Sequence, residues 1–158
     1  MGPHFSADEH FQQGESALSG GDAAAALEHF QISHRLEPDN ARYRSYLGLS
    51  LGLVERRFDR ALELCRSAAK QEFFNPSLYH NLARVHLAFG FKAEGIRYLR
   101  RGLMIDPQHA AILEEMGRLG LRRRPLIGFL RRGHLLNRWL GRLRRRPLEP
   151  TSEPEPVR

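Results

Sequence analysis

Cysteine is nearly absent from this chain: Cys65 stands alone among 158 residues. A single thiol cannot close an internal disulfide, which agrees with a reducing, cytoplasmic setting. Long apolar runs are missing as well, and none approaches the roughly 20 residues that a membrane-spanning helix needs. Met1 to Phe11 lacks the basic start and apolar stretch of a secretory signal, so the expected location is the cytoplasm. No segment alternates apolar and polar residues as a half-buried strand does, and the chain reads as all helical. No glycine-rich phosphate loop occurs, because Gly48 and Gly52 fall inside a helical pattern. The histidines give no metal signal: His29 and His34 are five apart and His80 and His86 six apart, whereas a helical zinc pair needs adjacent turns of one face. Glu114 and Glu115 read as a solvated pair. A nucleophilic role for Cys65 needs a base and an oxyanion donor, and neither is placed by the sequence. The chain is therefore expected to be non-catalytic, with no metal, no cofactor and no small-molecule substrate.

What is present is a period. Gly14, Gly48, Ala83 and Gly117 form one evenly spaced series of small residues, and Ala26, Ala61 and Gly95 form a second in the same register. Both series put one extra residue between Gly48 and Ala61. The shared period, near 34, marks stacked two-helix units. Gln13, Leu47, Leu82 and Met116 precede the first small residue, and Phe30, Cys65 and Leu99 follow the second by one helical turn. Where antiparallel helices cross, Gly or Ala lets the backbones approach, and the larger residue one turn on fills the space beside the crossing. Pro38 and Pro107 close the first and third units, because proline has no donor for a continuing helix. Ser6 with Glu9 predicts a capping box, Gly20, Gly21 and Asp22 a turn and cap, and Asp39 with Asn40 a further cap. Asn75 with Pro76 predicts a cap and a first helical residue, and Gly90 a break between two helices.

These columns resemble the tetratricopeptide repeat family, and the expectation is a small bacterial protein containing that repeat. The matching residues are Gly14, Ala26, Phe30 and Pro38 in residues 7–40; Leu47, Gly48 and Ala61 in 41–75; and Tyr79, Leu82, Ala83, Gly90 and Pro107 in 76–109. Met116 and Gly117 mark the first helix of a partial fourth unit, 110–122. The resemblance implies a right-handed superhelical array of antiparallel helix pairs over 7–122, after a lead-in at 1–6. Three departures stand out: Phe73 replaces the usual proline, Cys65 replaces the usual aromatic, and Gly95 and Gly102 each weaken a helix by up to about 1 kcal/mol relative to Ala. The third unit is expected to be the least rigid.

Charge is concentrated. The formal net charge is +7, yet residues 1–117 carry 13 basic and 15 acidic side chains, 118–146 carry 11 arginines and no acid, and 147–158 sum to −2. Arginine outnumbers lysine 23 to 2, a bias that points to a GC-rich genome. Within 123–146, Phe129, Leu136, Leu140 and Leu143 fall on one stripe, with Arg131, Arg132, Arg138, Arg142 and Arg145 largely elsewhere and Trp139 beside the stripe. This amphipathic region is expected to cap the last repeat. The alternative is contact with an anionic membrane, at its inner face, or with nucleic acid. The Pro- and Glu-rich residues 147–158 are expected to be disordered.

Repeat arrays of this kind bind proteins or peptides along the concave face lined by the first helix of each unit. Carried over by position, the resemblance implies a groove containing Phe11, Gln12 and Glu15; Arg42, Ser45, Tyr46 and Leu49; and His80, Asn81 and Arg84. Phe11, Tyr46 and Leu49 would anchor an apolar side chain, and Arg42, Asn81 and Arg84 would hold a carboxylate or peptide amides. The lysine- and asparagine-based clamp that one subfamily uses for acidic chaperone tails is missing, because Phe11, Glu15, Tyr46, Ser77 and Asn81 stand at its positions. A protein-interaction scaffold is the expected function.

Overall fold

The computed structural model describes residues 5–120. Among them are seven α-helices and no strand: α1 (Ala7–Ser19), α2 (Ala23–Leu36), α3 (Ala41–Val54), α4 (Phe58–Gln71), α5 (Pro76–Ala88), α6 (Lys92–Ile105) and α7 (Ala110–Arg118). Successive helices pack as pairs, α1 on α2, α3 on α4 and α5 on α6. Neighbouring pairs meet through α2 on α3 and through α5, which packs on both α3 and α4. Residues 1–4 of the lead-in, the capping helix expected over 123–146 with Arg131, Arg132, Arg138, Trp139, Arg142 and Arg145, and the tail over 147–158 lie outside the described residues.

Local chemistry starts most of these helices. Ser6 Oγ accepts from the Glu9 amide while Glu9 Oε2 accepts from the Ser6 amide at 2.6 Å, closing the capping box. Asp22 accepts from the Ala25 amide at 3.0 Å, and Asn40 and Asn75 cap α3 and α5 in the same manner. The turns between paired helices need left-handed backbone at Gly21 (φ 89°) and Gly90 (φ 83°), which costs glycine nothing. Arg57 and Phe91 begin α4 and α6 without a side-chain cap. Packing rather than capping holds those two starts.

The small-residue columns sit at the crossings. A Cβ on Gly14 would lie 2.6 Å from the Phe30 ring, and one on Gly48 would lie 2.9 Å from both the Ala61 carbonyl and Cys65 Sγ. Phe30, Cys65 and Leu99, the bulky column, are fully buried. The two glycines that break the α6 helical pattern have the same explanation. A side chain at Gly95 would strike Leu87, and one at Gly102 would strike Ile112 of the next helix. Gly117 continues the column, but nothing among the described residues lies within 4 Å of the Cβ position there.

Aromatic packing supplies the first pair's core: the Phe11 ring lies 5.4 Å from Phe30, 4.8 Å from Tyr43 and 5.0 Å from Tyr46. The middle of the array is aliphatic, built on Leu49, Leu62, Leu78, Leu82 and Val85 around Ala61 and Ala68. Ile112 joins Ala83 and Leu99 and ties α7 to the third pair. Burying such side chains stabilises by about 1.5–3 kcal/mol each against conformational entropy of similar total size.

Candidate functional site

A cleft of about 620 Å³ opens along the first helices of the pairs. Its walls are Glu15, Ser16, Leu18 and Ser19 from α1, Tyr46 from α3, His80, Asn81 and Arg84 from α5, and Ala111, Glu114, Glu115 and Arg118 from α7. Helices α1, α3 and α5 turn one side toward this space because α2, α4 and α6 occupy their other side.

The sequence-derived positions divide into three groups. Glu15, Tyr46, His80, Asn81 and Arg84 come together in the cleft wall. Arg42 lies at its margin: its guanidinium bonds both Glu15 oxygens at 3.0 and 2.9 Å and covers the Phe11 ring at 4.2 Å. Gln12 points elsewhere, donating to Asp8 Oδ2 at 2.6 Å. Phe11, Ser45 and Leu49 are 0% exposed and Asn81 is 1% exposed, so these four offer a ligand almost no surface. The reason is that α3 and α5 are packed on several sides at once, and the accessible stripe on each is narrower than half a helix. Asn81 Nδ2 donates instead to Ser45 Oγ at 3.2 Å, a buried bond between two first helices.

Glu115 and Arg118 were not among the sequence-derived positions. The signal was available, since they stand one repeat beyond Asn81 and Arg84, and the partial fourth unit carries the same columns as the third. Glu114 is solvated as expected, with Oε1 accepting from Arg118 at 2.6 Å. Glu115 is not; its carboxylate is mostly covered and lies 3.7 Å from His80 Nε2.

Electrostatics in the cleft follow from partial burial. Desolvation, then Arg84, His109 and Arg118, pull the His80 imidazole down to about 4, so it is neutral at physiological pH. Its contact with Glu115 is thus a carboxylate beside a neutral ring rather than an ion pair. His109 Nδ1 accepts from the Ile112 amide, which leaves the proton on Nε2 to be donated to Ser77 Oγ at 3.1 Å. Burial, reinforced by the Glu15 carboxylate, pushes the Tyr46 hydroxyl up to about 12 and keeps it a donor. Burial also lowers the Arg84 pKa, against the pull of Glu115 and Tyr46. Arg84 forms no ion pair or hydrogen bond with the described residues. It is a cation held in a half-covered wall without a contact partner.

Cys65, the one thiol, is buried between α4 and α3, with its pKa pushed up to about 12 and Sγ 3.2 Å from the Ser45 carbonyl. Among the described residues no three His, Cys, Asp or Glu side chains meet as a metal site, and no helix is long and apolar enough to cross a membrane.

No protein-family model matches the sequence, and no curated protein matches it. Solved structures do. One is YrrB, described as a TPR protein with an unusual peptide-binding site, at a TM-score of 0.56 and 18% identity over 72% of this chain. The TPR domain of Arabidopsis OM64 gives 0.57 at 19% identity, covering 73% of this chain and 94% of its own. PcrH, solved in complex with the chaperone binding region of PopB, gives 0.54 at 20% identity over 72% of this chain and 93% of its own. The fold is the tetratricopeptide repeat. Against YrrB the tetratricopeptide array spans 58% of the other chain's length. At these identities the shared property is the stacked helix pairs, which agrees with the period read from the small-residue columns.

Proposed function

We propose that this protein is a non-catalytic interaction scaffold that takes an extended peptide segment of a partner protein into the cleft between α1, α3, α5 and α7. The observation that carries this reading is Arg84, a half-buried guanidinium with no contact partner in a wall shared with Tyr46 and Leu18. Leaving a partly desolvated cation unpaired is costly, and a carboxylate arriving from outside regains that cost as affinity. Tyr46 and Leu18 offer apolar area beside it, and the Tyr46 hydroxyl is a donor for a peptide carbonyl. The ligand is therefore a segment with an acidic residue placed near an apolar one. Support also comes from two proteins of the same fold, YrrB with its peptide-binding site and PcrH with a region of PopB.

Phage-displayed peptides selected on the full chain, then measured by titration calorimetry, test this. Arg84→Ala is expected to weaken a selected peptide by tenfold or more, and Tyr46→Ala by a similar factor. Replacing the peptide's acidic residue by its amide should lose affinity for the wild type but not for Arg84→Ala. Peptides that bind equally to wild type and both variants would place the ligand elsewhere and sink the proposal.

A further inference from the structure

The turn between α4 and α5 carries two neighbouring phenylalanines that the core does not use. Phe73 is 58% exposed and Phe74 65% exposed, with ring centroids 3.9 Å apart. Their position is fixed: the Tyr79 hydroxyl donates to the Phe73 carbonyl at 3.1 Å, and the Arg101 guanidinium lies 5.2 Å from the Tyr79 ring centre. That stack joins the turn to the end of α6. On α6 the residues Arg97, Arg100, Arg101 and Met104 fall at i, i+3, i+4 and i+7, a single stripe, and all are exposed. Met104 is 83% exposed, while Gly95, Leu99 and Gly102 on the other side of the helix are buried. Arg66 and Lys70 stand one turn apart on the exposed side of α4. None of these five cations forms an ion pair with a described residue. The nearby acids are Glu94 at the start of the α6 stripe; Glu72, whose carboxylate accepts from Asn75 Nδ2 at 3.0 Å; Glu63, paired with Arg60; and Asp106, which accepts from the Gln108 amide.

We propose that this edge, with Phe73, Phe74 and Met104 at its tip and Arg97, Arg100 and Arg101 behind them, seats the protein on an anionic lipid surface. Exposed apolar side chains rimmed by charge of one sign mark an interaction surface. Lipid satisfies both halves of that description. The rings and the thioether enter the boundary between headgroups and acyl chains, and the guanidinium groups remain among phosphates. Each basic residue near an anionic leaflet adds about a fivefold gain in partitioning. Nucleic acid would satisfy the cations but not Met104, which has no planar face for a base. Residues 118–146 carry charge of the same sign, so the long-range field draws the whole chain toward the same kind of surface. None of the edge residues lines the cleft, and this inference does not depend on what the cleft binds.

The test uses the full chain with its one tryptophan removed by Trp139→Phe and a reporter introduced by Phe74→Trp. Vesicles of phosphatidylglycerol and phosphatidylcholine in equal parts are expected to shift the reporter's emission to the blue, and brominated lipid to quench it. Pure phosphatidylcholine should do neither. Phe73→Ser combined with Met104→Ser should lower partitioning of the wild-type background about tenfold with an unchanged far-ultraviolet dichroism spectrum. Vesicle binding without a reporter shift would assign the contact to another segment and overturn the proposal. So would a shift produced by single-stranded RNA or by self-association in the absence of lipid, or no vesicle binding at all.

Discussion

Gly48→Ala adds one methyl group at the centre of the array, and the structure allows its effect to be worked through. An alanine Cβ there would lie 2.9 Å from the Ala61 carbonyl oxygen, 2.9 Å from Cys65 Sγ and 3.0 Å from Leu64 Cβ. The nearest of these is backbone, so no rotamer change relieves it, and α3 must move away from α4. Separation spreads to Leu49, Leu62 and Cys65, which are packed in the same core. Overpacking of this kind costs about 1–3 kcal/mol, while replacing a helical glycine by alanine contributes up to about 1 kcal/mol in the opposite direction. The expected net effect is a loss of about 1–2 kcal/mol, or roughly 2–8 °C in melting temperature for a chain of this size. Gly52→Ala provides the comparison: its Cβ would meet Ala61 Cβ at 3.2 Å and nothing else closer than 3.7 Å. Thermal melts followed by dichroism should rank wild type above Gly48→Ala and place Gly52→Ala above Gly48→Ala. A Gly48→Ala protein as stable as wild type would refute the close crossing on which the packing argument rests.

Cys65 should resist thiol reagents in the native state at pH 8 and react only on unfolding, since burial raises its pKa to about 12. Fast native-state labelling would contradict that burial. Acid should weaken the fold through His80: its folded pKa of about 4 lies below the unfolded value of about 6.5. The stability it contributes is complete above about pH 6.5 and is lost progressively as pH falls toward 4, by roughly 2–4 kcal/mol in total. Burial lowers His34 and His86 as well and adds in the same direction. Urea midpoints measured from pH 7 to pH 4.5 should fall less steeply for His80→Gln than for wild type. Asn81→Ala leaves Ser45 Oγ buried without its donor and should cost about 1–3 kcal/mol, whereas Ser45→Ala with Asn81→Ala should cost less than the sum of the two singles. Strict additivity in that cycle would mean the two side chains do not interact.

The fold was readable because its constraint falls on backbone approach. Gly14 and Gly48 in the first series and Gly95 in the second occupy places where a Cβ would lie within 3 Å of the partner helix, so the restriction returns in every unit as two columns of small residues. Caps made by a single side chain were equally readable, at Ser6, Asp22, Asn40 and Asn75. The starts of α4 and α6 were not, because Arg57 and Phe91 cap nothing and those helices begin where tertiary packing sets them. Gly95 and Gly102 looked like weaknesses in isolation. Their neighbours explain them, and Leu87 and Ile112 fill the space that a side chain would need.

The cleft was harder to read, for a geometric reason. A helix packed on one side shows its other half to solvent, and a helical wheel then names the exposed residues correctly. Helix α3 packs against α2, α4 and α5 together, so Ser45, one turn from Gly48, and Leu49, a quarter turn round from it, are both fully buried. Only Tyr46 of α3 reaches the cleft, with Arg42 at its margin. The period repairs part of this error at the last unit, where Arg84 leads to Arg118. It does not say which residues find partners, and that is the property that matters for recognition. Arg42 and Arg84 occupy first helices alike, yet Glu15 bonds one directly while Glu115 attracts the other only from beyond contact distance. A ligand carboxylate must displace a bonded Glu15 at Arg42, whereas at Arg84 no bonded carboxylate has to leave. Affinity should therefore concentrate at Arg84, and charge reversal at Glu15 should change binding far less than loss of Arg84.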